Sequence, residues 1–180
     1  IGALHTAKRL EGGVMAVVSV AVIFLMSMLL GVNILGVKLG TNPFELLREV
    51  QANVGDDFFK NPSYLSFIID GNGLNPLLEN PWMVIHPPML FMGYASALFP
   101  FAFALASLIE NDRRYWIKLS LPWILLSIGL LGLGLILGGA WAYQSLTFGG
   151  FWAWDPVENA SLVPWLVLVA ALHYMLLSYK

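Results

Sequence analysis

Four long apolar runs constrain the fold of this chain more than any other feature of its sequence. They cover approximately residues 14–37, 84–109, 119–143 and 160–179. Each is long enough to cross a hydrocarbon core of about 30 Å, which takes roughly 20 helical residues. Hydrophobic residues make up 58% of the 180 residues and charged residues only 11%, a balance that soluble domains do not show. The sequence therefore predicts an all-α integral membrane protein, with four transmembrane helices in a single membrane domain over residues 1–180.

The distribution of Lys and Arg predicts the orientation of these spans. The side that contains the N-terminus carries Lys8, Arg9, Arg113, Arg114, Lys118 and Lys180, whereas the other side carries Lys38, Arg48 and Lys60. Because cytoplasmic loops carry the excess of basic residues, the N-terminus is predicted to be cytoplasmic. The connection 38–83 and the segment 144–165 then lie on the outer face.

Composition excludes several kinds of chemistry. The chain has no cysteine, so it cannot itself perform thiol–disulfide exchange or attach a group through a thioether. Any thiol must come from a partner. The formal net charge of −2, with no basic tract, gives no basis for binding nucleic acid. The abrupt ends indicate either part of a longer or split protein or an unusually compact one.

The outer connection 38–83 is interrupted by clusters of turn residues. Between these clusters, a short amphipathic helix is predicted over residues 44–53, since Phe44, Leu47 and Val50 fall on one face. We expect it to lie on the membrane surface or against the outer ends of the helices. After the last turn cluster, ordered structure is predicted to begin again at Leu74–Leu78.

Residues 144–165, called here the aromatic segment, concentrate aromatic side chains around two acids. The aromatic residues are Phe148, Phe151, Trp152, Trp154 and Trp165, and the acids are Asp155 and Glu158. One interpretation is an interfacial belt, because Trp and Tyr are enriched where a membrane meets water. The other is a binding surface for a flat, polarisable ligand. The pair Gly149–Gly150 favours the second, since glycine allows a backbone to approach a ligand closely.

The two acids of the aromatic segment also match a helix start. Asp155 suits the N-cap, Pro156 the first helical position and Glu158 the third, from which its carboxylate reaches back to the cap. Capping is favoured over a ligand-binding role for either acid alone, although the two roles are compatible. Further on, Pro164 predicts either one bent span or a short surface helix followed by a short membrane helix.

Two histidines are candidate ligands. A lone histidine is more often a satisfied core residue, but ionisable groups in membrane spans tend to be functional, and imidazole commonly ligates metals and haem. His86 is predicted at the outer mouth of the second helix, level with the aromatic segment. His173 follows Pro164 by nine residues, which places it roughly 13 Å deeper by helical rise. Two separate sites are therefore predicted.

The segment from Gly149 to Trp165 resembles the tryptophan-rich WWD signature of the haem-handling membrane proteins of cytochrome c maturation. Three further segments resemble specifically the cytochrome c haem lyase subunits and their relatives in nitrite-reductase assembly. They are Leu74–Leu78, His86–Pro88 and Ala140–Tyr143. The resemblance covers most of the chain from Thr41 onward.

The resemblance implies a cytochrome c haem lyase component of a bacterial inner membrane, with the aromatic segment on the periplasmic side. Such a subunit receives haem from a membrane-anchored haem chaperone. It joins the haem vinyl groups to the thiols of a Cys-x-x-Cys-His apocytochrome c, alongside thiol-redox subunits that handle the apocytochrome. A second possible function, of a different class, is that of a haem transport or conduit subunit without ligase activity. A third is that of a membrane scaffold with an aromatic belt and no haem.

By the same resemblance, His86 is an axial ligand of the substrate haem and the aromatic segment cradles that haem. The cradle comprises Phe148, Phe151, Trp152, Trp154, Asp155 and Trp165. His173 is implied as the ligand of a resident haem b.

Three departures from the family pattern stand out. Phe148 and Phe151 occupy positions where the family usually has Trp, so they lack the indole N–H donor. The stretch 45–70 is longer than the family norm, which suggests a docking insertion. The family supplies a second histidine to each haem from later helices, and this chain has none to offer, so a fragment or one half of a split protein is expected.

Overall fold

The computed structural model describes residues 2–44, 61–67, 73–111, 115–147 and 149–178. The helices are α1 (Gly2–Leu30), α2 (Pro81–Ile109), α3 (Tyr115–Ser145) and α4 (Pro156–Ser178); the strands are β1 (Val32–Ile34) and β2 (Val37–Leu39); and two short 3-10 turns cover Tyr64–Phe67 and Pro76–Leu78. The predicted amphipathic helix 44–53 and most of the suggested insertion 45–70 lie outside the described residues.

Within the described ranges, four helical stretches are long and apolar enough to cross a membrane: Lys8–Leu30, Pro81–Ile109, Tyr115–Ser145 and Pro156–Ser178. The chain is thus a multi-pass α-helical membrane protein, as the apolar runs predicted. It divides into two compact units, Ile1–Ser19 with Asn75–Lys180, and Val20–Leu74.

The first helix lies earlier in the chain than expected, because it begins at Gly2 and not at residue 14 and ends at Leu30 and not at residue 37. Gly31 leaves the helix with a φ of 62°, the left-handed conformation that commonly ends helices. Residues 32–39 then form an antiparallel hairpin. Hydropathy alone did not reveal this change, since the hairpin is nearly as apolar as the helix. The alternation of β-branched Val and Ile with other residues was the available signal.

Helix α2 begins earlier than expected, at Pro81 and not at residue 84. Asn80 caps it, accepting a hydrogen bond from the Trp82 N–H at 2.9 Å. Pro87 and Pro88 therefore lie inside the helix, beyond its first turn. His86 immediately precedes them, near the end of the helical bundle where the aromatic segment lies.

Helices α2 and α3 pack closely because large side chains of one lie on glycines of the other. A Cβ placed on Gly138 would lie 2.6 Å from His86 Cε1, one on Gly134 would lie 2.7 Å from Leu90 Cδ2, and one on Gly93 would lie 2.6 Å from Leu131 Cγ. Each step forward along α2 is matched by an equal step backward along α3, as antiparallel packing requires. The small residues thus allow the two helices to approach closely.

Helix α4 attaches to its neighbours through apolar packing of Met175 with Ile117 and Ile124 of α3 and through hydrogen bonds of two aromatic side chains. Within Pro156–Ser178, its buried residues are Ser161 and Met175. The Tyr94 hydroxyl of α2 lies 3.0 Å from Ser161 Oγ and 3.1 Å from the Ala160 carbonyl oxygen. Trp165 Nε1 donates to the Ile128 carbonyl of α3 at 3.0 Å. The helix continues through Pro164, so the single-span alternative is the one observed.

The N-terminal part of α1 packs on α2 at the opposite end of the bundle. Leu10 and Val14 form a buried cluster with Ala102 and Ala106. Arg9 forms an ion pair with Glu110, with Nη2 and Oε2 separated by 2.8 Å. Both side chains of the pair are largely exposed, so it contributes little to stability.

Candidate functional site

A cavity of about 80 Å³ lies where α2 begins, α3 ends and α4 begins. Its lining includes His86, Trp141, Trp152, Asp155, Glu158 and Ser161, together with aliphatic residues and the backbone at Gly138 and Gly139. The structure therefore brings together four residues that the sequence singled out: His86, Trp152, Asp155 and Glu158.

The orientation of His86 is set by a hydrogen bond to α3. Its Nδ1 lies 2.7 Å from the Gly134 carbonyl oxygen. A carbonyl oxygen only accepts, so Nδ1 carries the hydrogen, and a neutral ring then keeps an unprotonated lone pair on Nε2. Metal-ligating histidines characteristically donate their other ring N–H to a carbonyl or carboxylate in this way. The half-buried His86 is thus in the tautomer that ligation through Nε2 requires.

Trp141 and the segment before α2 complete this end of the bundle. The Trp141 ring is inclined by 20° to the His86 ring, with centroids 6.4 Å apart. Its Nε1 donates to the Leu77 carbonyl at 2.9 Å, and Asn80 Nδ2 donates to Gln144 Oε1 at 3.0 Å. The three shorter motifs of the sequence therefore meet at one place. Trp141 belongs to one of those motifs but was not predicted from the sequence as a site residue.

The aromatic segment presents one tryptophan to the cavity and another to the surroundings. Trp152 and Trp154 pack edge to face, with centroids 5.9 Å apart. Trp152 lines the cavity, and its buried Nε1 has no hydrogen-bond partner among the described residues. Trp154 is 69% exposed and adopts a φ of 59°, a left-handed conformation that is uncommon outside glycine and is enriched at functional sites.

Phe151 extends the exposed aromatic surface. Its ring stacks on Tyr143 at a centroid distance of 4.4 Å and an angle of 3°, and it is 59% exposed. Its carbonyl oxygen would lie 3.1 Å from a Cβ placed on Gly139. Phe148 lies outside the described residues.

Asp155 and Glu158 form the predicted capping box. The Glu158 N–H donates to Asp155 Oδ1 at 2.7 Å, and the Asp155 N–H donates to Glu158 Oε2 at 3.3 Å. Glu158 Oε2 also accepts the Ala153 N–H at 2.8 Å. Since Ala153 lies between Trp152 and Trp154, the same carboxylate starts α4 and fixes the backbone between the two tryptophans.

Trp165 and His173 were also predicted to bind ligand. Neither is among the described residues that line the cavity. Trp165 packs on α3, where a Cβ on Gly132 would lie 2.9 Å from its Nε1. His173 is exposed on α4, with Nδ1 2.8 Å from the Val169 carbonyl oxygen. That contact leaves Nε2 of His173 available too.

The cavity is too small to enclose a large cofactor, since pockets for drug-sized ligands measure about 300–1,000 Å³ and this one about 80 Å³. Among the described residues, no group of three His, Asp or Glu side chains is placed to hold a metal ion. His86 is the one imidazole among the described residues that line the cavity.

Within the described residues, these features define a class of protein: a multi-pass helical membrane protein with an imidazole in a cavity and exposed aromatic rings at the same end of its helices. The chain belongs to the cytochrome C assembly protein family, whose model matches residues 4–180.

Within this family, the chain is similar to curated cytochrome c-type biogenesis proteins. It is 48% identical over 113 residues to CcmF of Pseudomonas aeruginosa and 50% identical over 110 residues to CcmF of Escherichia coli, which is 62% and 60% of this chain and 17% of each relative. It is 42% identical over 126 residues to NrfE of Haemophilus influenzae, which is 68% of this chain and 20% of that protein. The chain thus spans about a fifth or less of the length of these relatives. No solved structure matches it.

Proposed function

We propose that this chain is the haem-binding part of a cytochrome c haem lyase component, which holds haem on the outer membrane face for covalent attachment to apocytochrome c. The observation that carries the proposal is the His86–Gly134 hydrogen bond, because it leaves His86 Nε2 available beside an exposed aromatic surface. The family membership supports it independently.

In this proposal, His86 ligates the iron of the substrate haem while Trp154 and Phe151 stack against the macrocycle. Trp152 offers its unpaired indole N–H to an acceptor on the ligand. Asp155 and Glu158 hold the backbone that carries these rings. The protein contributes position, which is worth a large part of a reaction barrier when reacting groups are aligned.

The attachment adds a cysteine S–H across a haem vinyl group. One C–S and one C–H bond form while the S–H bond and the vinyl π bond break, so no external oxidant or reductant is consumed by the addition itself. The chain has no cysteine, so both thiols come from the Cys-x-x-Cys-His motif of the apocytochrome. A haem chaperone and apocytochrome-handling thiol-redox subunits are the further proposed partners.

His173 is proposed as a ligand of a resident haem b, deeper in a bacterial inner membrane whose cytoplasmic side holds the N-terminus. His173 stands 17 residues into α4, about 26 Å along the helix, while His86 and the first turn of α4 line one cavity. The second axial ligand of each haem is proposed to come from parts of the protein outside this chain.

The decisive test is haem capture by detergent-purified full chain, with His86→Ala and His173→Ala as reciprocal variants. We expect His86→Ala to lose the added haem and retain haem b, and His173→Ala to do the reverse. A chain with no Soret absorbance and no haem uptake would refute both sites. Loss of both haems in either single variant would contradict separate sites.

The competing function, a conduit that only carries haem, is distinguished from the lyase component by whether haem becomes covalently attached to apocytochrome c. The assembled machinery is supplied with a Cys-x-x-Cys-His apocytochrome c, and covalent haem is measured after denaturation. Covalent haem that depends on His86 supports the lyase component. Haem that is captured and passed on, but never becomes covalently attached, supports the conduit.

A further inference from the structure

The hairpin that follows α1 separates its side chains cleanly by polarity. The strands pair Val32 with Leu39, Asn33 with Lys38 and Ile34 with Val37. Since successive side chains of a strand point to opposite faces, the first and third pairs share one face and the middle pair lies on the other. One face is therefore wholly aliphatic, and the other carries an amide and an ammonium group.

The aliphatic face has no cover within the described residues. Its four side chains are all exposed, from 38% for Val32 to 61% for Val37. At the tip, Leu35 is 100% exposed with a φ of 51°, and Gly36 follows with a φ of 84°. A turn with two positive φ values favours Asn or Gly at its first central position. A fully exposed leucine in this strained position needs an apolar environment to account for it.

The base of the hairpin is fixed to the end of α1. The Thr41 N–H donates to the Met28 carbonyl at 3.0 Å, and Gly40 packs so closely that any side chain there would overlap the backbone of Met28. The hairpin is thus attached directly to the end of a helix whose stretch Lys8–Leu30 can cross a membrane. Its distance from the hydrocarbon is limited by that attachment.

The length of the hairpin is comparable with the thickness of the interfacial layer of a bilayer. Headgroups add roughly 5–8 Å on each side of the hydrocarbon core, and three residues of strand extend about 10 Å. A hairpin that lies along the surface stays within this layer, whereas one that stands upright carries Leu35 into water.

We propose that the hairpin is an interfacial membrane anchor, with its aliphatic face and Leu35 at the acyl-chain boundary and Lys38 directed to lipid phosphates. The occupant of the face is lipid because the hairpin follows directly on a stretch of α1 that can cross a membrane, where Ile23, Phe24 and Leu30 are more than half exposed. Lys38 supplies the complementary charge for an anionic headgroup. The anchor is independent of the haem-binding proposal.

The absence of cysteine from the chain makes a direct test possible. The variants Leu35→Cys, Val37→Cys and Asn33→Cys each carry one spin label, in the full chain reconstituted into nanodiscs of phosphatidylethanolamine and phosphatidylglycerol. Collision with oxygen reports lipid exposure, and collision with a soluble nickel chelate reports water exposure. Thr147→Cys, at an exposed position of the aromatic segment, is the matched reference label.

We expect labels at positions 35 and 37 to be oxygen-accessible and shielded from nickel, with the label at position 33 nearer to the aqueous value. Leu35→Asn should retain the turn and lower the ratio of oxygen to nickel accessibility of a label at position 37. A position-35 label as accessible to nickel as the position-147 label would overturn the proposal. Shielding from both reagents would also overturn it, because it would indicate a protein partner.

Discussion

The imidazole of His86 donates its Nδ1 hydrogen to the carbonyl oxygen of Gly134 across the α2–α3 interface, at 2.7 Å. The contact depends on the absence of a side chain at position 138 of α3, because Gly138 lies directly against the same ring. The proposed iron ligand is therefore oriented by backbone, and its position is sensitive to changes that remove no functional group.

Gly138→Ala tests this dependence. The added Cβ would lie 2.6 Å from His86 Cε1 and 3.0 Å from Nδ1, so the ring must move away from Gly134. We expect haem affinity at the His86 site to fall about 10-fold or more, as for loss of an outer hydrogen-bond partner of a ligand. Spectral titration with haem measures it.

Gly129→Ala is the matched control on the same helix, since no described atom beyond its neighbourhood in the chain lies within 4 Å of a Cβ placed there. It should leave affinity unchanged. Equal affinity for the two variants would contradict the assigned role of Gly138.

Trp152→Phe and Trp165→Phe should have different effects on the stability of the ligand-free chain. Trp152 carries a buried indole N–H without a partner among the described residues, and such a group costs about 1–3 kcal/mol. Its removal should raise the free energy of unfolding or leave it unchanged. Trp165 Nε1 donates to the Ile128 carbonyl, and its loss should lower that free energy by about 1 kcal/mol. Denaturant titration in detergent measures both.

The same pair distinguishes binding from packing. Trp152→Phe should weaken haem capture, because the proposed ligand uses its donor, whereas Trp165→Phe should not change capture once the folded fraction is equalised. If the Trp152→Phe chain is stabilised and its haem affinity is undiminished, the indole N–H of Trp152 does not donate a hydrogen bond to the bound haem.

Tyr94→Phe should loosen the start of α4. The hydroxyl contacts Ser161 Oγ and the Ala160 carbonyl oxygen, and its removal should destabilise the chain by about 1 kcal/mol. Because Ser161 lines the cavity, the emission spectrum of the nearby Trp152 should shift as well. Tyr174→Phe, whose residue is 66% exposed, serves as control and should change neither quantity.

Glu158→Ala and Glu158→Gln separate capping from charge. Gln can replace Glu in a capping box, so we expect Gln to preserve most of the protection of the Ala153 and Asp155 amides from hydrogen exchange. Ala should accelerate exchange at both amides and cost about 1 kcal/mol, as for loss of a cap. If Gln abolishes haem capture while the amides stay protected, the carboxylate charge acts on the ligand and not only on the backbone.

Local sequence signals predicted the elements that depend on neighbouring residues. The Asp155–Pro156–Glu158 spacing was sufficient to specify the capping box, because all its bonds form within one helical turn. The position of His86 level with the aromatic segment followed from its place near the predicted start of the second helix. The hairpin was missed because Val32, Ile34 and Val37 are as apolar as the helix before them.

What the sequence could not supply was pairing between helices. Trp152 and Trp165 are equally aromatic, and only the packing of α4 on α3 places one in the cavity and the other on Gly132. No local sequence pattern pointed to Tyr94, since its role depends on a hydrogen bond to Ser161, which is 67 positions away. The tautomer of His86 was equally inaccessible, because the carbonyl that selects it is 48 positions away.

The spacing of the glycines on α3 fixes the depth at which His86 operates. His86 lies on Gly138 and Leu90 on Gly134, so a slide of α2 by one turn, about 5.4 Å, would place His86 over Ala142 or Leu90 over Leu130. In either direction, one of the two side chains would then lie on a residue larger than glycine. The glycine spacing thus favours one register of the two helices, and in the proposed function haem reaches His86 and leaves it at one level.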